Sequence, residues 1–178
     1  HNYGQSTIGA RTDIENVPIE NLQAFYRKYY QPDNAVLTVA GKFEEAKALE
    51  MVAEHFGKVP RPERKLIGTY TKEPTQDGER TVELRRAGDI QVVSTVYHTP
   101  PGTHADYPSM AVIDELLTNE PSGRLYKALV ESKKATSVWS FTPALKEGGF
   151  IYINVDVRKD NDLMEAKSTL LSMLDSLT

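Results

Sequence analysis

Residues 58–78, KVPRPERKLIGTYTKEPTQDG, constrain this chain more than any other stretch. Three prolines (Pro60, Pro62 and Pro74), two glycines and several charges leave neither a helical nor a strand period intact. Proline removes a backbone donor and fixes its own φ, and glycine loosens the chain, so such a run joins elements and does not build one. The patterned segments on either side must therefore form separate units, with 58–78 read mostly as a linker. A length of 178 residues allows either one large domain or two small ones.

Before the linker, residues 1–9 read as irregular, with Gly4 and Gly9 as flexible points. Asn16-Val17-Pro18 opens a helix, because proline in a first turn sacrifices no hydrogen bond. Leu22, Phe25, Tyr26 and Tyr29 form one apolar stripe at three- and four-residue spacing, and Pro32 stops it. NAVLTVAG (34–41) is short, mostly apolar and β-branched, which predicts a strand buried on both faces. A second helix follows, with Phe43, Ala46, Leu49, Val52 and Phe56 on its apolar side and Gly57 as C-cap.

After the linker, ERTVELRR (79–86) alternates, with Val82 and Leu84 on one face, and predicts a strand. Gly88-Asp89 marks a turn into a second strand over 90–100. Met110, Ile113, Leu116 and Leu117 predict a helix, and 122–134 predicts another with Ser122 as N-cap. Residues 136–144 and 148–157 form a strand pair, with Ile151, Ile153, Val155 and Val157 facing one way and Tyr152, Asn154 and Asp156 the other. Trp139 and Phe141 share a face and are expected to pack in the core. A final helix runs from Asp162 through Leu163, Ala166, Leu170 and Leu174. Strands and helices in this order predict an α+β fold, not a doubly wound sheet.

The formal charge of −4 and sequence pI near 5.6 argue against nucleic acid as partner, since phosphate binding needs a basic face. No apolar run approaches the ~20 residues that span a bilayer. With no cysteine, disulfides and thiolate metal sites are excluded. His1 stands where a complete protein would carry Met, which suggests an excised or mature piece.

Glu54-His55 resembles the end of an H-x-x-E-H zinc signature, but Met51 occupies the first histidine position. A catalytic zinc needs three protein ligands, and this helix offers one His and one nearby Glu. His55 is better explained by the free carbonyls of a helix C-terminus. His98 and His104 flank a Pro-Pro turn with Asp106 as the one close acid, again short of a ligand set. Lys133-Lys134 ends a helix and Arg85-Arg86 ends a strand, and neither pair requires a ligand. No G-x-S-x-G and no phosphate-binding glycine loop is present. No catalytic, cofactor-binding or metal residue is assigned to any position.

Several motifs in order nevertheless resemble the pitrilysin/insulinase family of zinc metallopeptidases, the mitochondrial processing peptidase group included. They are His1-x-Tyr3-Gly4, Ile8-Gly9, Tyr29-Tyr30-x-Pro32-x-Asn34, Phe56-Gly57-x-x-Pro60 and the Ser122-x-Arg124-Leu125-Tyr126 turn. The resemblance implies two processing-peptidase-like units, the first truncated at its N-terminus. Residues 1–60 would be the C-terminal part of a first peptidase domain, 61–78 a linker, and 79–178 a second, inactive domain incomplete at its C-terminus. It also implies that the zinc motif lies upstream of His1, so that zinc belongs to the parent and not to this chain. The non-catalytic halves of the family hold substrate with an Arg and a Tyr, and Val130 and Ser137 stand at those positions here. Neither residue supplies the missing group. The implied partners are an upstream zinc-binding domain, a second peptidase-like half and a peptide or protein substrate. The implied compartment is a bacterial periplasm or envelope, or an organelle. The alternative is a structural partner subunit of the same family with no peptidase activity.

Overall fold

The computed structural model describes residues 2–68 and 74–177. The chain divides into two compact units, His1–Arg80 and Thr81–Thr178. The expected linker, 61–78, lies partly outside the described residues.

The first unit is helical. It contains α1 (Arg11–Asn16), α2 (Ile19–Tyr29) and α3 (Glu45–Phe56), with short 3-10 turns at Asn2–Gly4 and Pro32–Asn34. Pro18 is the N-cap of α2, one residue ahead of the helix proper. Arg27 and Lys28 in its last turn suit the helix dipole. Gly57 caps α3, donating its N–H to the Ala53 carbonyl at 2.9 Å. None of these three helices buries a residue. Arg64 holds Asp33 through two parallel bonds of 2.9 Å, which fastens the 3-10 turn to the segment after Pro60.

The expected strand over 34–41 does not form. A strand exists through its ladder, and no segment pairs with this one among the described residues. Val36 is 94% exposed, the reverse of a strand buried on both faces.

The second unit is an antiparallel sheet with helices on one face. Its elements are β1 (Ile90–Thr99), α4 (Tyr107–Thr118), a π-helical segment (Tyr126–Glu131), β2 (Ser137–Phe141), β3 (Gly149–Arg158) and α5 (Leu163–Asp175). The strand order is β1-β3-β2. In register, Val93 faces Val155, which faces Val138, so one side of the sheet is apolar across all three strands. Leu117, Leu125, Leu129, Ala166 and Leu170 close over Ile151, Ile153, Val155 and Val157 to make the core. Asp162 caps α5, accepting from Met164 N–H at 2.8 Å and Glu165 N–H at 3.2 Å.

Three expectations for this unit need correction. No strand forms over 79–86, and Val82 and Leu84 stand exposed. The ladder of β1 goes to β3 instead, and Lys159 pins the turn by binding the Asp89 carboxylate at 2.7 Å. Ser122 is not an N-cap. The chain turns tightly from Asn119 to Gly123, and the Gly123 carbonyl accepts the helical bond from Lys127 N–H. A β-carbon at position 123 would lie 2.7 Å from the Leu117 carbonyl oxygen, which explains glycine there. The helix that follows widens to π geometry and ends at Glu131, with Ser132 as C-cap and Lys133 beyond it left-handed at φ 65°. Trp139 and Phe141, expected in the core, lie on the opposite face of the sheet, 46% and 54% exposed. β2 has its core face at Val138 and Ser140, so the residues between them must face outward.

Candidate functional site

The register of the second unit assembles a feature that single strands do not show. On the outward face, Ser94, Asn154 and Trp139 form one row across the sheet, and Val96, Tyr152 and Phe141 form the next. Ser94 Oγ donates to Asn154 Oδ1 at 2.8 Å, and Tyr152 Oη donates to the same oxygen at 2.9 Å. Asn154 Nδ2 donates to Asp156 Oδ1 at 3.0 Å, and Ser137 Oγ donates to Asp156 Oδ2 at 2.6 Å. Asn154 is buried, so its amide depends on these partners. Aromatic pairs flank the polar strip: Trp139 with Tyr152, ring centres 5.3 Å apart, and Phe141 with Phe150 at 6.2 Å. The strip is a continuous hydrogen-bonded network with aromatic rings around it, which holds its side chains in fixed positions.

Sequence reasoning placed Tyr152, Asn154 and Asp156 on a common face and missed their partners. Ser94 and Ser137 join the strip through inter-strand register, which alternation within one strand does not reveal.

The residues weighed as metal ligands are scattered. Glu54 and His55 lie exposed in the last turn of α3. His98 is on β1 opposite Phe150. His104 Nδ1 accepts from the Asp106 N–H at 3.2 Å, an arrangement local to its turn. Zinc requires at least three converging donors. Among the described residues no group of three or more His, Asp or Glu could hold an ion, so this donor set does not fit one.

Val130 is half-buried against the core, and Ser137 is bound to Asp156. The turn between them is held by Asn161, whose Nδ2 donates to the Lys133 carbonyl at 2.9 Å. Lys134 reaches Glu165 at 3.0 Å. Tyr126 donates to Glu120 Oε1 at 3.0 Å, and this bond to the carboxylate raises the phenol above its ordinary pKa. On the outer side of α4, Ala111, Val112, Glu115, Leu116, Asn119 and Ser122 line a shallow concavity of about 490 Å³. Leu116 of the predicted helical stripe lies here, 54% exposed, while Leu117 is buried in the core.

Comparison with known proteins gives this arrangement a family. A zinc protease of Helicobacter pylori, PqqE, is 32% identical over 157 residues, which is 86% of this chain and 35% of that protein. The mitochondrial presequence protease of Schizosaccharomyces pombe is 25% identical over 187 residues, 98% of this chain and 18% of that protein. The chain thus spans about a third or less of the length of these relatives. The crystal structure of a protease from Helicobacter pylori superposes with a TM-score of 0.86 at 27% identity, covering 96% of this chain and 42% of that one. The family model described as the peptidase M16 inactive domain matches residues 16–178, and the chain belongs to that family.

Proposed function

We propose that the chain is the non-catalytic stretch of a zinc-dependent metalloendopeptidase. In this reading residues 1–60 are the C-terminal part of a first peptidase domain, 61–78 a linker, and 79–178 an inactive peptidase-like domain. The match of 16–178 to the inactive domain of the M16 family carries the non-catalytic reading, and it runs across both units.

The parent would hydrolyse peptide bonds with a zinc-activated water supplied by its other part. This stretch would form one wall of the substrate chamber and support the neighbouring half. The hydrogen-bonded strip on β1, β2 and β3 suits a wall, because it presents side chains in fixed positions. Val130 and Ser137 favour a stretch continuous with the metal-binding half, or with a degenerate partner, since they lack the groups by which the other half holds substrate.

The test is peptide cleavage by the parent protein and by this chain alone, each with and without a chelator. Cleavage by the parent that EDTA abolishes, with none from the isolated chain, is the expected result. EDTA-sensitive cleavage by the isolated chain would overturn the proposal. A parent with no cleavage at all would favour the structural-subunit alternative.

A further inference from the structure

Asp156 stands on the outward face of β3 with its carboxylate held in place by neutral neighbours. Asn154 Oδ1 accepts from Ser94 and Tyr152, which turns Asn154 Nδ2 onto Asp156 Oδ1, and Ser137 Oγ donates to Oδ2. A carboxylate has about four lone-pair sites, so two donors leave acceptor capacity open. Among the described residues no Lys, Arg or His pairs with Asp156. Arg158, two positions further along the same face, is exposed and makes no ion pair with it.

Open ring faces lie beside this carboxylate. Trp139 is in register with Asn154 and so diagonal to Asp156, and Phe141 and Tyr152 make the next row. Diagonal neighbours on one face are about 7–8 Å apart, within reach of a long side chain. Trp139 and Phe141 are 46% and 54% exposed, so their rings are open to a ligand. The face of an aromatic ring carries the negative side of its quadrupole. Rings and carboxylate therefore favour the same sign of charge in whatever lies over them.

We infer that this face takes a cationic side chain of an extended peptide, arginine or lysine, with its charge at Asp156 and its stem across Trp139. The inference rests on the reading of the sheet as a chamber wall and names the substrate feature that the wall recognises. Charge decides among the occupants. An apolar side chain would cover Asp156 without a countercharge, at a desolvation cost. An acidic side chain would be repelled by it.

Trp139 is the one tryptophan in the sequence, so its fluorescence reports on this face directly. The chain is titrated with N-acetylated, C-amidated Ala-Ala-Arg-Ala-Ala, and with the same peptide carrying citrulline, norleucine or glutamate at its centre. Citrulline keeps the shape of arginine and removes its charge. The expected result is saturable binding of the arginine peptide, about tenfold tighter than the citrulline peptide. Asp156→Asn keeps the acceptor for Ser137 and should erase that preference, and added salt should reduce it. Arg158→Gln removes a nearby like charge and should tighten arginine binding about twofold.

Equal affinity for arginine and citrulline overturns the inference. So does norleucine binding as tightly as arginine, or glutamate binding that Arg158→Gln abolishes. A Trp139 signal that moves with chain concentration before peptide is added overturns it in favour of self-association. If Asp156→Asn does not fold, the comparison of arginine with citrulline on the unaltered chain decides. Arginine preference in the chain, with no cleavage by the parent, leaves this inference standing while the peptidase reading fails. A cleaving parent, with a chain indifferent between arginine and citrulline, does the reverse.

Discussion

α2 in the first unit and α5 in the second both carry apolar residues at helical spacing, with opposite outcomes. Leu22, Phe25 and Tyr26 on α2 are 49%, 57% and 61% exposed, whereas Ala166 and Leu170 on α5 are fully buried. The difference is the presence of a sheet. In the second unit β1, β3 and β2 pair and offer Ile153, Val155 and Val157 as a floor for the helices. In the first unit the strand-like segment has no ladder, so the stripe of α2 has no floor. An amphipathic pattern states which side of a helix seeks cover; pairing elsewhere decides whether cover exists.

The largest expected effect sharpens this contrast. Leu129→Ala in the second unit removes a fully buried side chain and should cost about 2–5 kcal/mol, while Leu22→Ala should change stability by less than about 0.5 kcal/mol in the isolated chain. Urea unfolding followed through Trp139, the single tryptophan, reports on the second unit, and thermal unfolding by circular dichroism reports on both. Comparable losses for the two variants would break the comparison. Next in size, Asp162→Ala removes the cap of α5 and should cost about 1 kcal/mol in the same urea experiment.

Among the described residues of the first unit, Arg64 and Asp33 form a two-pronged pair, with side chains 20% and 28% exposed. Lysine keeps the charge and loses the fork. Arg64→Lys should therefore raise proteolytic nicking near residues 60–68 while leaving the Trp139 transition unchanged. A shift of that transition would mean that the units are not energetically separate. The smallest effect concerns Lys133, left-handed at φ 65°. Lys133→Gly relieves that strain and should stabilise the second unit by about 0.5–1 kcal/mol, measured by urea midpoint.

Much of the second unit was legible in its sequence. The alternation of 148–157 placed Ile151, Ile153, Val155 and Val157 on the core side, where all four are buried. The stripe Ala166-Leu170 and the cap at Asp162 followed from spacing and residue type. What could not be read depended on partners distant in sequence. Trp139 faces outward because β2 turns Val138 to the core, and Ser122 loses its cap to the tight approach at Gly123. The contact strip is legible only in part for the same reason. Tyr152, Asn154 and Asp156 lie on one strand, but Ser94 and Ser137 reach them across the sheet. The family motifs carried the identity that local chemistry could not.

Hydrogen exchange of the isolated chain tests the central claim most directly. The account predicts that amides of β3, paired on both edges, exchange slowly while those of residues 35–40 exchange freely. Residues 35–40 exchanging as slowly as β3 would contradict it.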